Sequence, residues 1–264
     1  MTVRSRLDAE LVRRGLARSR EQAAELISAG KVAVAGQTAS KAATQVSRDT
    51  PVTVTDGGDD PVYASRGGHK LAGALAVFAH LTVQGRNALD AGASTGGFTD
   101  VLLRAGAAHV VAVDVGYGQL AWSLRTDPRV TVMDRVNVRA LGPVTPVPDL
   151  VVADLSFISL TLVLPALVAA AAPEADFVLL VKPQFEVGKG RVGAGGVVRD
   201  TTDRSASIEK VAGAAAELGL GVRGITASPL PGPAGNVEYF LWLRRDAPPL
   251  DPEQLRQAIE EGPD

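Results

Sequence analysis

From residue 86 to residue 182 the chain alternates short apolar runs with helix-length segments, and this alternation limits the possible folds more than any other feature. The runs 86–90, 109–114, 130–133, 149–154 and 176–182 read as strands, with helices at 97–105, 117–125 and 158–171 between them. A helix at 68–79 precedes the series. A glycine-rich loop, PQFEVGKGRVGAGGVVRD, follows it, then a helix at 203–218, strands at 221–228 and 236–244, and a last helix at 252–261. Strand–helix–strand units wind right-handed and build a parallel sheet covered by helices. The expected class is therefore α/β: a doubly wound, mostly parallel sheet of seven strands. Aromatic content of only 4% fits an aliphatic core of that kind. The run SPLPGPAGN joins the last two strands as an antiparallel edge hairpin.

The first 48 residues follow a different pattern. Segments 5–16 and 20–29 read as short helices, with Leu7, Leu11 and Leu16 spaced along the first and Ser19 as N-cap of the second. KVAVAG and VTVT are short strands around them, and TDGGDDP is an acidic, turn-forming run. The expected organisation is a small α+β module at 1–60, a linker at 61–65 and the α/β domain at 66–264. Residues 1–48 hold nine basic against four acidic side chains, a net +5, which leaves −7 for the rest of a chain whose formal charge is −2. A basic module on an acidic body points to nucleic acid. Arg4, Arg6, Arg18, Arg20 and Lys41 are the candidates for phosphate contact, while Asp8 and Glu10 read as charges at a helix N-terminus.

The string LDAGASTGGFTD carries the second signal. Its glycines, Gly92, Gly96 and Gly97, let a backbone turn tightly after a strand and approach a ligand, with Ser94 at the tip. The spacing departs from the dinucleotide pattern of three glycines. Asp114 closes the next strand, where a carboxylate can hold a ribose. That position suits NAD and S-adenosylmethionine (SAM) equally. Asp90, directly before Ala-Gly-Ala-Ser, resembles the acidic strand end of doubly wound SAM-dependent methyltransferases, where it can meet the ammonium of the methionine part. Asp134 is a further candidate, for the adenine.

Four charged residues in distinctive surroundings form the third signal: Lys70 in SRGGHKL, Asp154 in VVADLSF, Lys182 in LLVKPQFE and Glu238 in GNVEYFLWL. A ribose hydroxyl is a poor nucleophile at neutral pH. A lysine beside it can accept its proton if the lysine's own pKa is lowered, or can stabilise the developing alkoxide by charge. Carboxylates hold such ammonium groups in place, so that the protons belong to the cluster. In this reading Lys182 is base or polariser, Asp154 orients it, and Lys70 and Glu238 position the group. Each has an ordinary alternative: a helix N-cap for Asp154, a solvated strand end for Lys182, a water-facing strand charge for Glu238. Phe157 sits at the same edge as a platform for an unstacked base or as a core residue.

These strings carry a family resemblance. SRLDAELVRRGLARSREQAAELISAGKVAVAG resembles the αL RNA-binding domain first known from a small-subunit ribosomal protein, which reads structured RNA by shape. The remainder resembles the FtsJ-like ribose 2′-O-methyltransferases, and the combination resembles the TlyA family of bacterial rRNA methyltransferases. The resemblance implies SAM as cofactor, cytidine 2′-hydroxyls of 16S or 23S rRNA as substrate, and Lys70, Asp154, Lys182 and Glu238 as the catalytic tetrad. It also implies a SAM-dependent methyltransferase sheet, with ribosomal RNA as partner. The linker departs from the family pattern: PVYAS stands where a tryptophan is expected.

Other classes fit less well. An NAD oxidoreductase needs neither the basic module nor the lysine pair, and a pseudouridine synthase is mostly antiparallel. With no cysteine in the chain, disulfides and thiolate metal sites are excluded. His69, His80 and His109 lack ligand spacing, so no metal is expected. The N-terminus lacks a secretory h-region, and the apolar run at LTLVLPALVAAAAP is too short to span a bilayer. The expectation is a cytoplasmic monomer with no membrane role, despite the haemolysin label the family carries.

Overall fold

The computed structural model describes residues 4–17, 19–48, 50–54, 63–188 and 190–262, which fall into two compact units divided between Val62 and Tyr63.

In the first unit, β1 (Arg4–Arg6) leads directly into α1 (Leu7–Arg13), and α2 (Arg20–Ser28) follows. Ser19 caps α2, its hydroxyl accepting from the Gln22 amide at 3.1 Å. The strands β2 (Val32–Val34), β3 (Gln37–Thr38) and β5 (Val52–Val54) form one antiparallel sheet in the order β3-β2-β5, and β4 (Gln45–Ser47) pairs with β1. Leu7, Leu11, Ala23, Ile27, Val32 and Val46 close a small core. Asp8 and Glu10 do lie in the first turn of α1, yet both are also buried. Asp8 binds Arg6 at 3.0 Å and Arg20 at 2.9 Å; Glu10 binds Arg13 at 2.6 Å and Arg14 at 2.8 Å. These guanidinium hydrogen bonds hold both carboxyls well below the usual range. The two acids thus anchor the arginines of the basic module.

The second unit opens with α3 (Arg66–Val77). It contains β6 (Asn87–Ala91), α4 (Gly97–Arg104), β7 (His109–Asp114), α5 (Trp122–Arg125), β8 (Val130–Asp134), β9 (Leu150–Ala153), α6 (Leu164–Ala170), β10 (Asp176–Val181), α7 (Pro183–Glu186), α8 (Thr201–Glu217), β11 (Gly221–Ala227), β12 (Tyr239–Arg244) and α9 (Pro252–Glu260). The seven strands lie in the order β11-β12-β10-β9-β6-β7-β8. Pairings from β8 to β10 are parallel; β12 runs antiparallel to both β10 and β11. Alternate residues serve opposite faces, as the strand period of two requires. Leu89, Val111, Val151 and Leu179 pack under α6 and α8, while Ala88, Val110, Val152 and Val178 pack under α3 and α4.

The final hairpin forms one edge of the sheet as expected, with β12 on β10 and β11 outermost on that side. Two expectations change. The helix at 117–125 shrinks to Trp122–Arg125, because the amides of Gly116 and Gly118 are taken by the side chains of Asp114 and Asp134. The helix at 158–171 splits into a 3-10 turn, Leu160–Leu162, and α6, with Pro165 in the first turn of the latter.

Candidate active site

The parallel strands β6, β9 and β10 end at the same edge of the sheet, and β12 begins there. In open α/β sheets this carboxyl edge is where ligands bind. The β10–β12 register pairs Val181 with Tyr239, so the next residues outward, Lys182 and Glu238, stand opposite each other. Asp154 follows β9, its amide held by the Ala91 carbonyl of β6 at 3.1 Å. Lys70 comes from the second turn of α3.

The four residues form two ion pairs. Lys70 Nζ donates to Glu238 Oε2 at 2.6 Å, and the pair is buried. Lys182 Nζ lies 2.6 Å from Asp154 Oδ1 and donates to Ser156 Oγ at 3.0 Å. The angles make its contact with Asp154 an ion pair rather than an aligned hydrogen bond. Gln184, two residues after Lys182, donates to Glu238 Oε1 at 3.4 Å. Gly67 closes the other side: a Cβ there would sit 3.7 Å from Asp154 Oδ2. Lys182, Lys70 and Glu238 are all buried, and Asp154 is the more exposed member of the group.

The glycine turn joins this group directly. Gly92 is in the left-handed region (φ +87°), and a Cβ on it would meet the Asp154 carbonyl at 2.6 Å. A Cβ on Gly97 would come 2.3 Å from Ser65 Oγ and 2.7 Å from the Gly68 amide, so the start of α4 packs against the start of α3 only because no side chain intervenes. Gly96 and Ser94 also have positive φ. Under the turn lies Asp90, fully buried. One of its oxygens accepts from Thr99 Oγ1 at 2.6 Å; the other, Oδ1, has no hydrogen-bond partner. Burial, with smaller contributions from the charges of Asp154 and Asp114, pushes its carboxyl up to about 7 against the pull of Thr99. Asp114 accepts from the amides of Ser94 at 2.8 Å and Gly116 at 2.7 Å. Asp134 is paired with Arg125 at 2.8 Å and accepts from Gly118 at 3.2 Å; the Arg125 hydrogen bond keeps its carboxyl low.

Among the other candidates, Phe157 is 91% exposed, which removes the core alternative, and sits at φ +64° against Phe185 with ring centroids 5.2 Å apart. In the first unit Arg6, Arg20 and Lys41 are exposed, Arg4 opens β1, and Arg18 lies outside the described residues. His69 packs edge-on against Tyr63, the residue of the altered linker. Among the described residues no group of three or more His, Cys, Asp or Glu could hold a metal ion. Sequence reasoning did not single out Gln184 or Thr99. Gln184 was visible only as part of the Lys-Pro-Gln-Phe run, and nothing in the sequence showed that the first turn of α4 returns Thr99 to Asp90.

A sheet of this topology, with an acidic strand end and glycine turn beside two lysine–carboxylate pairs, is that of a methyltransferase. Residues 63–245 match the FtsJ-like methyltransferase family, and residues 5–52 match the S4 domain. The chain is 62% identical, over the full length of both proteins, to the 16S/23S rRNA (cytidine-2′-O)-methyltransferase TlyA of Mycobacterium tuberculosis. It is 35% identical to Hemolysin A of Brachyspira hyodysenteriae over 89% of this chain and 98% of that one. A solved structure of a hemolysin-named protein from Streptococcus thermophilus superposes with a TM-score of 0.76 at 39% identity, covering 99% of this chain and 98% of the other. The chain belongs to the TlyA family of FtsJ-like methyltransferases. Despite the hemolysin name of two relatives, no helix among the described residues is long and apolar enough to cross a membrane.

Proposed function

We propose that this protein methylates the ribose 2′-hydroxyl of cytidine in 16S or 23S rRNA, using SAM. The observation that carries the reading is the placement of the Lys182–Asp154 pair against the glycine turn, with Asp154 packed on Gly92. The residues present fit the cofactor. Asp90 Oδ1 is a buried acceptor without a partner, suited to an ammonium group, and Gly92 and Gly97 leave a cradle that side chains would fill. Asp114 would hold the ribose, and Asp134 would flank the adenine. When bound, SAM supplies a methyl group on a sulfonium sulfur, so that the reaction needs alignment and no metal.

The chain's own residues do the rest. Lys182 faces the incoming hydroxyl and either takes its proton or stabilises the charge that develops on its oxygen. Asp154 and Ser156 fix the ammonium group in place. Lys70 and Glu238 set the position of the pair, with Gln184 donating to Glu238. Phe157 offers an exposed ring on which a splayed cytosine can stack. The S4 domain contributes phosphate contacts through Arg4, Arg6, Arg18, Arg20 and Lys41, with residues 61–65 as the joint between the two parts. The acting unit we propose is a cytoplasmic monomer.

The test is to incubate purified protein and SAM with ribosomal subunits that lack the modification, then map 2′-O-methyl groups by mass spectrometry. Methylation at a defined cytidine, absent with Asp154→Ala, is expected. Transfer to a base atom, or no transfer to either subunit, would overturn the assignment.

A further inference from the structure

Glu186 has no part in the scheme above, yet it is 4% exposed and lies four residues after Lys182. A carboxylate taken out of water must find partners, and this one has several. Oε2 accepts from Ser159 Oγ at 2.5 Å and Oε1 from the Leu160 amide at 2.7 Å. Lys210 of α8 donates to the Glu186 carbonyl at 2.8 Å and pairs with Oε2 at 3.5 Å. Each partner on the first side belongs to the loop that carries Phe157.

That loop holds its aromatic residue in an uncommon state. A bulky side chain at φ +64°, nearly all of it in solvent, persists only where neighbouring contacts over-determine the backbone. Phe157 rests on Phe185, which directly precedes Glu186 and whose ring centre lies 6.0 Å from Lys182 Nζ. Contacts therefore close a ring: Glu186 to Ser159 and Leu160, back along the loop to Phe157, across to Phe185, and along α7 to Glu186 again.

We infer that Glu186 is a positioning residue for the RNA substrate: it sets where the Phe157 ring stands relative to Lys182. The inference rests on the proposed methyl transfer. A glutamine at this position has the same shape but only one acceptor oxygen. The Leu160 amide can only donate, so one of the two loop contacts is lost or reversed, and Lys210 loses its charged partner.

The test uses full-length protein, SAM and unmodified ribosomal subunits, with Glu186→Gln, Phe157→Ala and the double variant. Glu186→Gln is expected to keep SAM affinity within about twofold while raising KM for the subunit about fivefold, more than it lowers kcat. In the Phe157→Ala background the same change should have little further effect, because both act through one ring. Independent, multiplying effects, a loss of SAM affinity or wild-type kinetics would each overturn the inference. If Glu186→Gln fails to fold, Ser159→Ala removes one loop contact, leaves the charge in place and carries the same comparison. Wild-type protein that transfers no methyl group would instead refute the function on which the inference depends.

Discussion

Asp90→Asn separates the cofactor role of this residue from its role in folding. Burial raises its carboxyl from 3.8 to about 7. At about 1.4 kcal/mol per pH unit, that displacement amounts to about 4 kcal/mol against the ionised form in the fold. The native state keeps a proton that the unfolded chain has already lost, so the stability this group permits is fully present below about pH 4 and is lost as pH rises to about 7. Asparagine does not ionise, and its amide oxygen can still accept from Thr99. The variant without cofactor should therefore melt above wild type at about pH 8, by up to the same roughly 4 kcal/mol, with the difference closing toward about pH 4. Cofactor binding should change in the opposite direction. An ammonium group at Oδ1 favours the carboxylate, so wild type should release nearly one proton on binding SAM at about pH 6 and almost none at about pH 8. Titration calorimetry in two buffers of different ionisation enthalpy counts those protons. Buffer-independent heats at about pH 6, or equal SAM affinity in the variant, would refute the reasoning.

Other substitutions test the remaining parts. Lys182→Ala should abolish methyl transfer with SAM and RNA binding near wild type; Lys182→Arg should be as inactive if a proton must be taken, and partly active if charge alone suffices, as single-turnover rates would show. Arg20→Ala and Lys41→Ala should each weaken subunit binding at every sequence and reduce its salt slope by about one, measured by filter binding across a salt series. Gly97→Ala places a methyl group 2.3 Å from Ser65 Oγ and 2.7 Å from the Gly68 amide. Thermal melting should show a loss of about 1–3 kcal/mol, since backbone must move. Acid should loosen the first unit, because Asp8 and Glu10 have lowered carboxyls whose contribution disappears as pH falls below the ordinary carboxylate range; circular dichroism of that unit would follow it.

The sequence displayed the sheet's alternation, since Val, Ile and Leu runs at strand length are hard to read otherwise. It also displayed the glycine turn, where Gly92 and Gly97 leave no room for a Cβ. It concealed whatever depends on contacts between distant segments. Nothing local says that β12 inserts beside β10, bringing Glu238 opposite Lys182. Asp8 and Glu10 read as charges at a helix start, and they are, but their burial depends on packing that no local pattern shows; Arg14, paired with Glu10, also reaches across to the Thr50 carbonyl at 2.8 Å. The helix at 117–125 was overextended because side-chain carboxylates compete for backbone amides there.

The insertion of β12 has a consequence in time. Lys70 and its partner Glu238 are 168 residues apart in the chain. A growing chain completes the glycine turn and the strands from β6 to β10 well before residue 238 exists. Until β12 arrives, β10 presents an open row of backbone donors and acceptors. The last long strand to be made is thus both the seal on that edge and the element that brings Glu238 to Lys70, so the buried ion pair forms in the same step that covers the open side of β10.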